Sequence, residues 1–118
     1  MTDAIMQMLE NGYRLQQAGK LDLAEDLYQK VLAQDRGNIH ALNLMGMLCV
    51  NSGRPNEAVT FLQKAIKKQP KNPQTLANLG LALKDLGKFQ RAVHQFEQSL
   101  KLDRRNPVIL NNLGNVYR

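Results

Sequence analysis

Glycine recurs in this chain at a fixed step. Gly12, Gly46, Gly80 and Gly114 stand 34 residues apart, and Gly19, Gly53 and Gly87 form a second series with the same spacing. Of the eight glycines only Gly37 falls outside these two ladders. Ala24, Ala58 and Ala92 keep the period, as do Asn38, Asn72 and Asn106, and Pro73 and Pro107. A period of this length is the mark of a stacked repeat, in which each unit is a small supersecondary element that buries its apolar face only against its neighbours. It divides the chain into units 5–38, 39–72 and 73–106, followed by 107–118 as the opening third of a fourth. The 118 residues therefore form one domain built by repetition.

Each unit reads as two helices. Leu76, Leu79, Leu83 and Leu86 recur at steps of three and four, the spacing of one helical face. Asn72 suits the N-cap, and Pro73 the first turn, where its missing N–H costs nothing. Gly87 ends that helix, and a second runs over about 89–102 with Phe89, Ala92, Val93, Phe96 and Leu100 on its apolar face. Unit two repeats the grammar, with Asn38 as cap, Gly53 as breaker and Pro55 opening the second helix. In unit one Thr2 or Asp3 caps, and Asp22 lies in the first turn of the second helix, at its positive end. Glycine inside a helix costs about 1 kcal/mol relative to alanine. Gly12, Gly46, Gly80 and Gly114 are therefore expected where a partner helix comes close, with Ala24, Ala58 and Ala92 facing them and Tyr28, Leu62 and Phe96 filling the wider gap beyond.

The pattern Leu76-x-x-Leu79-Gly80-x-x-Leu83, then Ala92 and Phe96, resembles the tetratricopeptide repeat, a 34-residue helix–turn–helix unit. Leu42-x-x-Met45-Gly46-x-x-Cys49, Ala58, Leu62 and Pro70 repeat it, and Leu110-x-x-Leu113-Gly114-x-x-Tyr117 begins another copy. Unit one departs from it at Asn11, where leucine is usual, and at Arg36, where proline is common. The resemblance covers residues 5–118 and implies an all-α fold: an α-solenoid of antiparallel helix pairs in a right-handed superhelix, about three and a half repeats and seven helices. First helices would line a concave groove and second helices the convex face, and such arrays bind peptides or other proteins. The 34-residue period and the Gly–Ala ladders separate the chain from the related 35-residue RNA-binding repeats.

Away from the packing stripe, the first helices present Met6, Leu9, Glu10 and Tyr13 in unit one, and His40, Asn43, Leu44, Met47 and Asn51 in unit two. Unit three presents Gln74, Asn78, Leu81, Lys84 and Asp85, and the fourth segment Asn111, Asn112 and Asn115. Of these, Tyr13, Asn43, Leu44, Met47, Asn78, Leu81, Lys84, Asn111, Asn112 and Asn115 are the candidate partner-binding residues. An amide offers both a donor and an acceptor and can pair with an extended peptide backbone whatever its sequence. Asn78 and Asn112 are equivalent one repeat apart, and Asn43 and Asn111 form a second equivalent pair two repeats apart. The arrangement is similar to the asparagine ladder of O-linked N-acetylglucosamine transferases, with Leu44 and Glu10 standing in the ladder places of units two and one. The carboxylate clamp of chaperone-binding repeats is not expected, because Leu9 and Tyr13 stand where a lysine and an asparagine would be needed. Roughly half of Leu9, Leu44, Met47 and Leu81 are expected to be covered by neighbouring repeats.

Charge supports the same emphasis on the groove. The chain carries +6, yet residues 1–38 hold four basic and six acidic side chains. Residues 39–72 hold five and one, and residues 73–106 six and three. The clusters Lys64, Lys67, Lys68, Lys71 and Lys101, Arg104, Arg105 fall at the ends of second helices, where cations complement the helix dipole. No aromatic residues interleave with them for base stacking, so a salt-dependent hold on nucleic acid or acidic surfaces is the lesser reading. Cys49 falls at an inward place as a small buried thiol, and His40 and His94 lie on different kinds of helix, so no catalytic constellation, cofactor or metal site is expected. The start lacks a basic region followed by an apolar stretch and no apolar run reaches membrane length, so neither a leader nor a span is expected and the expected setting is cytoplasmic. Leu110, Leu113, Val116 and Tyr117 in the fourth segment are expected to leave one apolar side uncovered. Two consequences are open there: the chain as the N-terminal part of a longer protein, such as an enzyme whose repeats recruit substrate, or a homodimer through the uncapped helix.

Overall fold

The structure, a computed structural model, describes residues 3–117, the side chains of Val108, Asn115, Val116 and Tyr117 excepted. Seven helices follow one another: α1 (Asp3–Gln17), α2 (Leu21–Gln34), α3 (Ile39–Asn51), α4 (Pro55–Lys68), α5 (Pro73–Asp85), α6 (Phe89–Leu102) and α7 (Pro107–Tyr117). No strand occurs among the described residues, and the elements form three antiparallel pairs plus a seventh helix.

The turn between the two helices of a repeat is the same each time. Gly53 takes φ +73, its N–H reaches the Val50 carbonyl at 3.3 Å, and the Arg54 N–H reaches that of Cys49 at 2.8 Å. This double closure needs a left-handed residue at its centre, which glycine supplies without a Cβ clash. Gly19 and Gly87 repeat it one unit to either side. Between repeats, asparagine restarts the helix. The Asn38 side-chain oxygen Oδ1 accepts from the Ala41 N–H at 3.0 Å, that of Asn72 from the Gln74 and Thr75 N–H groups, and that of Asn106 from the Ile109 N–H. Asp3 already lies inside the first turn of α1, so it is not the cap expected there, and Thr2 lies outside the described residues.

Within each pair the ladder glycine meets the large residue rather than the alanine. A Cβ on Gly12 would lie 2.5 Å from Tyr28 Cε1, one on Gly80 would lie 2.6 Å from Phe96 Cε1, and one on Gly46 would collide with Leu62. Helical side chains lean toward the helix N-terminus, so Tyr28, Leu62 and Phe96 reach back over the preceding turn and fill the glycine notch. Ala24, Ala58 and Ala92 are fully buried beside them. Phe89, expected on the apolar face of α6, is 54% exposed. It is the first residue of its helix.

Neighbouring repeats join by packing and by a few polar bonds. Arg54 spans from the start of α4 to Glu25 of α2, with Nη2–Oε1 at 2.8 Å and Nη1–Oε2 at 3.1 Å, and it also pairs with Glu57. Thr75 Oγ1 donates to Asn43 Oδ1 at 2.7 Å, linking α5 to α3. Odd-numbered helices pack in sequence, α1 on α3, α3 on α5 and α5 on α7, whereas no even-numbered helix packs on another. The stack is therefore tighter along its odd side, which makes that side concave. The particle measures 42 × 25 × 23 Å.

Candidate functional site

The concave side carries two adjoining cavities, both built from odd-numbered helices. One, of about 310 Å³, lies between α1 and α3 and is lined by Met6, Leu9, Glu10, Tyr13, His40 and Leu44. The other, of about 210 Å³, lies between α3 and α5. His40 and Leu44 border both, so the two are successive chambers of one groove. The first chamber is apolar apart from Glu10 and His40. In the second, Asn43, Asn72, Gln74 and Asn78 supply amides beside the thioether of Met47.

The candidate residues divide by position. Tyr13, Asn43, Leu44, Met47 and Asn78 line the chambers. Tyr13 is 45% exposed, and Asn78 is 9% exposed with no hydrogen bond to its amide from the described residues. Asn43 has a structural task as well. Its Oδ1 is taken by the Thr75 hydroxyl, which fixes the amide plane and leaves Nδ2 as the group turned to other partners. Leu81 and Lys84 are half-buried on α5 and line neither chamber, and Leu81 packs against the core. On α7 Asn111 is exposed and Asn112 is 8% exposed in the place equivalent to Asn78, while the Asn115 side chain lies outside the described residues. Leu9, expected at a groove-facing position from its spacing, is 7% exposed and belongs to the core, so it forms a chamber floor rather than a wall. Asn72, assigned a capping role by its position before Pro73, does that and also borders the second chamber. Sequence pattern marks its cap role alone, since its second contact depends on how α5 leans on α3.

Elsewhere the chemistry is structural. Cys49 is fully buried, and burial pushes its thiol up to about 11 despite the neighbouring Arg54 cation. Tyr28 is likewise pushed up to about 12, by burial first and the Tyr13 hydroxyl second, and donates to Gln16 Oε1 at 2.8 Å. His40 faces the groove from α3, and His94 is exposed on α6. Among the described residues no three His, Cys, Asp or Glu side chains gather as metal ligands, and no helix is long and apolar enough to cross a membrane. The basic residues Lys64, Lys67, Lys68, Lys71, Lys101, Arg104 and Arg105 are all exposed, at the ends of α4 and α6 and in the turns that follow, away from both chambers. Lys68 Nζ donates to the Gly37 carbonyl at 2.5 Å, across to the turn of the preceding repeat.

A family model described as tetratricopeptide repeat matches residues 15–80, and a second, described as TPR repeat, matches residues 80–118. No curated protein sequence matches the chain. Solved structures match its fold closely. The second TPR domain of human RPAP3, in complex with the HSP70 peptide SGPTIEEVD, is 23% identical with a TM-score of 0.87, over 96% of this chain and 94% of that one. The first TPR of Spaghetti (RPAP3), bound to the HSP90 peptide SRMEEVD, is 21% identical with a TM-score of 0.90, over 96% and 90%. The Thermobaculum terrenum O-GlcNAc transferase is 24% identical with a TM-score of 0.94, over 98% of this chain and 23% of that enzyme. At these identities the likeness is one of fold.

Proposed function

The chain belongs to the tetratricopeptide repeat family, and on that footing we propose that it is a protein–protein interaction scaffold that holds a partner's peptide in its concave groove. The observation that carries this reading is the pair of joined chambers on the odd-numbered helices, with the Asn78 amide bordering one of them and hydrogen-bonded to no described residue. An amide in that position can both donate to and accept from an extended backbone. The two RPAP3 domains, relatives in fold that hold chaperone peptides, support the use of such a groove for peptides. Their peptides end in the acidic run EEVD. No lysine or arginine lines either chamber of this chain, so a partner of another character is proposed.

The test is a peptide selected from a random display library on the full chain. Asn78→Ala and Asn112→Ala should each weaken its binding about three- to tenfold, the worth of one hydrogen bond or two. Helicity by circular dichroism should stay unchanged. Binding indifferent to both substitutions rejects the groove reading.

A second reading makes the array the substrate-recruiting arm of a larger enzyme, a proposal supported by the shared fold with the repeat portion of the T. terrenum O-GlcNAc transferase. A glycosyltransferase domain encoded in the same reading frame would bear it out, and its absence there would reject it.

A further inference from the structure

Resting on the peptide-groove reading, we infer that the partner segment is an extended, non-acidic peptide anchored by one apolar side chain in the α1–α3 chamber. The two chambers differ in kind. Met6, Tyr13 and Leu44 wall the first above the Leu9 floor, and Met6 and Tyr13 are each 45% exposed among the described residues. Its volume of about 310 Å³ lies at the small end of ligand clefts, which run to about 1,000 Å³, and so matches a side chain better than a folded element. The second chamber offers amides. Asn43 has its oxygen pinned by Thr75 and presents Nδ2 as a donor, and Asn78 presents both groups. A strand-like segment crossing the shared border at His40 and Leu44 therefore places an apolar residue in the first chamber and its backbone against the second.

Charge narrows the occupant further. Glu10 is the one acidic side chain lining either chamber, with no Lys or Arg beside it there, and it disfavours carboxylates beside the anchor. The clustered cations at the ends of α4 and α6 are exposed and line neither chamber. An acidic peptide thus finds no counter-charge there, whereas a neutral or basic flank meets Glu10.

Random linear dodecapeptides displayed on phage and panned against the full chain test this. The enriched peptides should share one Leu, Met or Phe and lack acidic runs. Replacing that residue by alanine should weaken binding to the wild type about tenfold, the share that one buried apolar side chain supplies. On a Tyr13→Asp or Met6→Asp background the same replacement should cost little, a coupling that a double-mutant cycle reads. Both positions are exposed, and circular dichroism checks that the variants fold. With Asn78→Ala the anchored and truncated peptides should weaken by equal factors. If peptides are weakened by Asn78→Ala but share no apolar residue, or its truncation costs as much with Tyr13→Asp, the anchor is overturned and the groove reading stands. If they are indifferent to Asn78→Ala as well, or none is enriched, both fall.

Discussion

The Tyr28 ring lies in the notch left by Gly12, with Cε1 only 2.5 Å from where a Cβ on residue 12 would stand. Phe96 does the same at Gly80, and both rings are fully buried. A rigid ring held on all sides cannot yield the space a methyl group needs.

Gly80→Ala should therefore lower stability. Overpacking costs about 1–3 kcal/mol, against about 1 kcal/mol gained in helix propensity, for a net loss of up to about 2 kcal/mol. Gly114 occupies the same repeat position with nothing within 4 Å of its would-be Cβ, so Gly114→Ala should stabilise by about 0.5–1 kcal/mol. Denaturant titrations of the two variants check the opposite signs.

Leucines at one repeat position should behave unequally too. Leu76 is 7% exposed and Leu110, one repeat on, is 51% exposed. Leu76→Ala should cost about 2–5 kcal/mol as a core truncation. Leu110→Ala should cost less than about 1 kcal/mol, because most of the side chain is already in water. Thermal unfolding of the pair separates them.

Alkaline titration should find Cys49 and Tyr28. A free thiol ionises near 9, and burial in the fold moves Cys49 to about 11. The unfolded chain then loses its proton first, so stability is intact below pH 9 and falls between 9 and 11, by an amount on the order of 2–3 kcal/mol. Tyr28, moved from 10 to about 12, adds a second loss at higher pH. Cys49→Ala should remove the first loss and leave the second. A thiol reagent at pH 8 should label the native protein no faster than the chain opens, and a denatured sample at once.

Much of this architecture is legible in the residues. The asparagine caps, the glycine turns and the boundaries of α6 follow from local chemistry that works the same way in any protein. What periodicity cannot supply is the reach of a side chain. It places Ala24 and Tyr28 on one face of α2 but does not say that Tyr28, leaning back, takes the glycine notch. Nor does it say that Leu9 sinks below the groove surface while Tyr13, one turn on, stays half in water. The Thr75–Asn43 and Arg54–Glu25 bonds join residues 32 and 29 positions apart, and their partners emerge only when one repeat is laid on the next. The two chambers have the same origin, since each is a property of a seam between helices and not of either helix.

Among the described residues every helix touches only helices one or two places away in the chain. No contact waits on bringing distant ends together, so the entropy of closing long loops is small and folding should be fast. Order can also begin in any one helix pair and spread outward, and it can be lost in the reverse sense from either end. Amide exchange should accordingly be graded along the stack, slowest in α3, α4 and α5, which have packed neighbours on both sides, and faster toward α1 and α7. The groove chambers lie between α1 and α5, so an occupant that bridges them would tie the faster-opening α1 to the slowest part of the stack, and its residence could be read as slowed exchange in α1 alone.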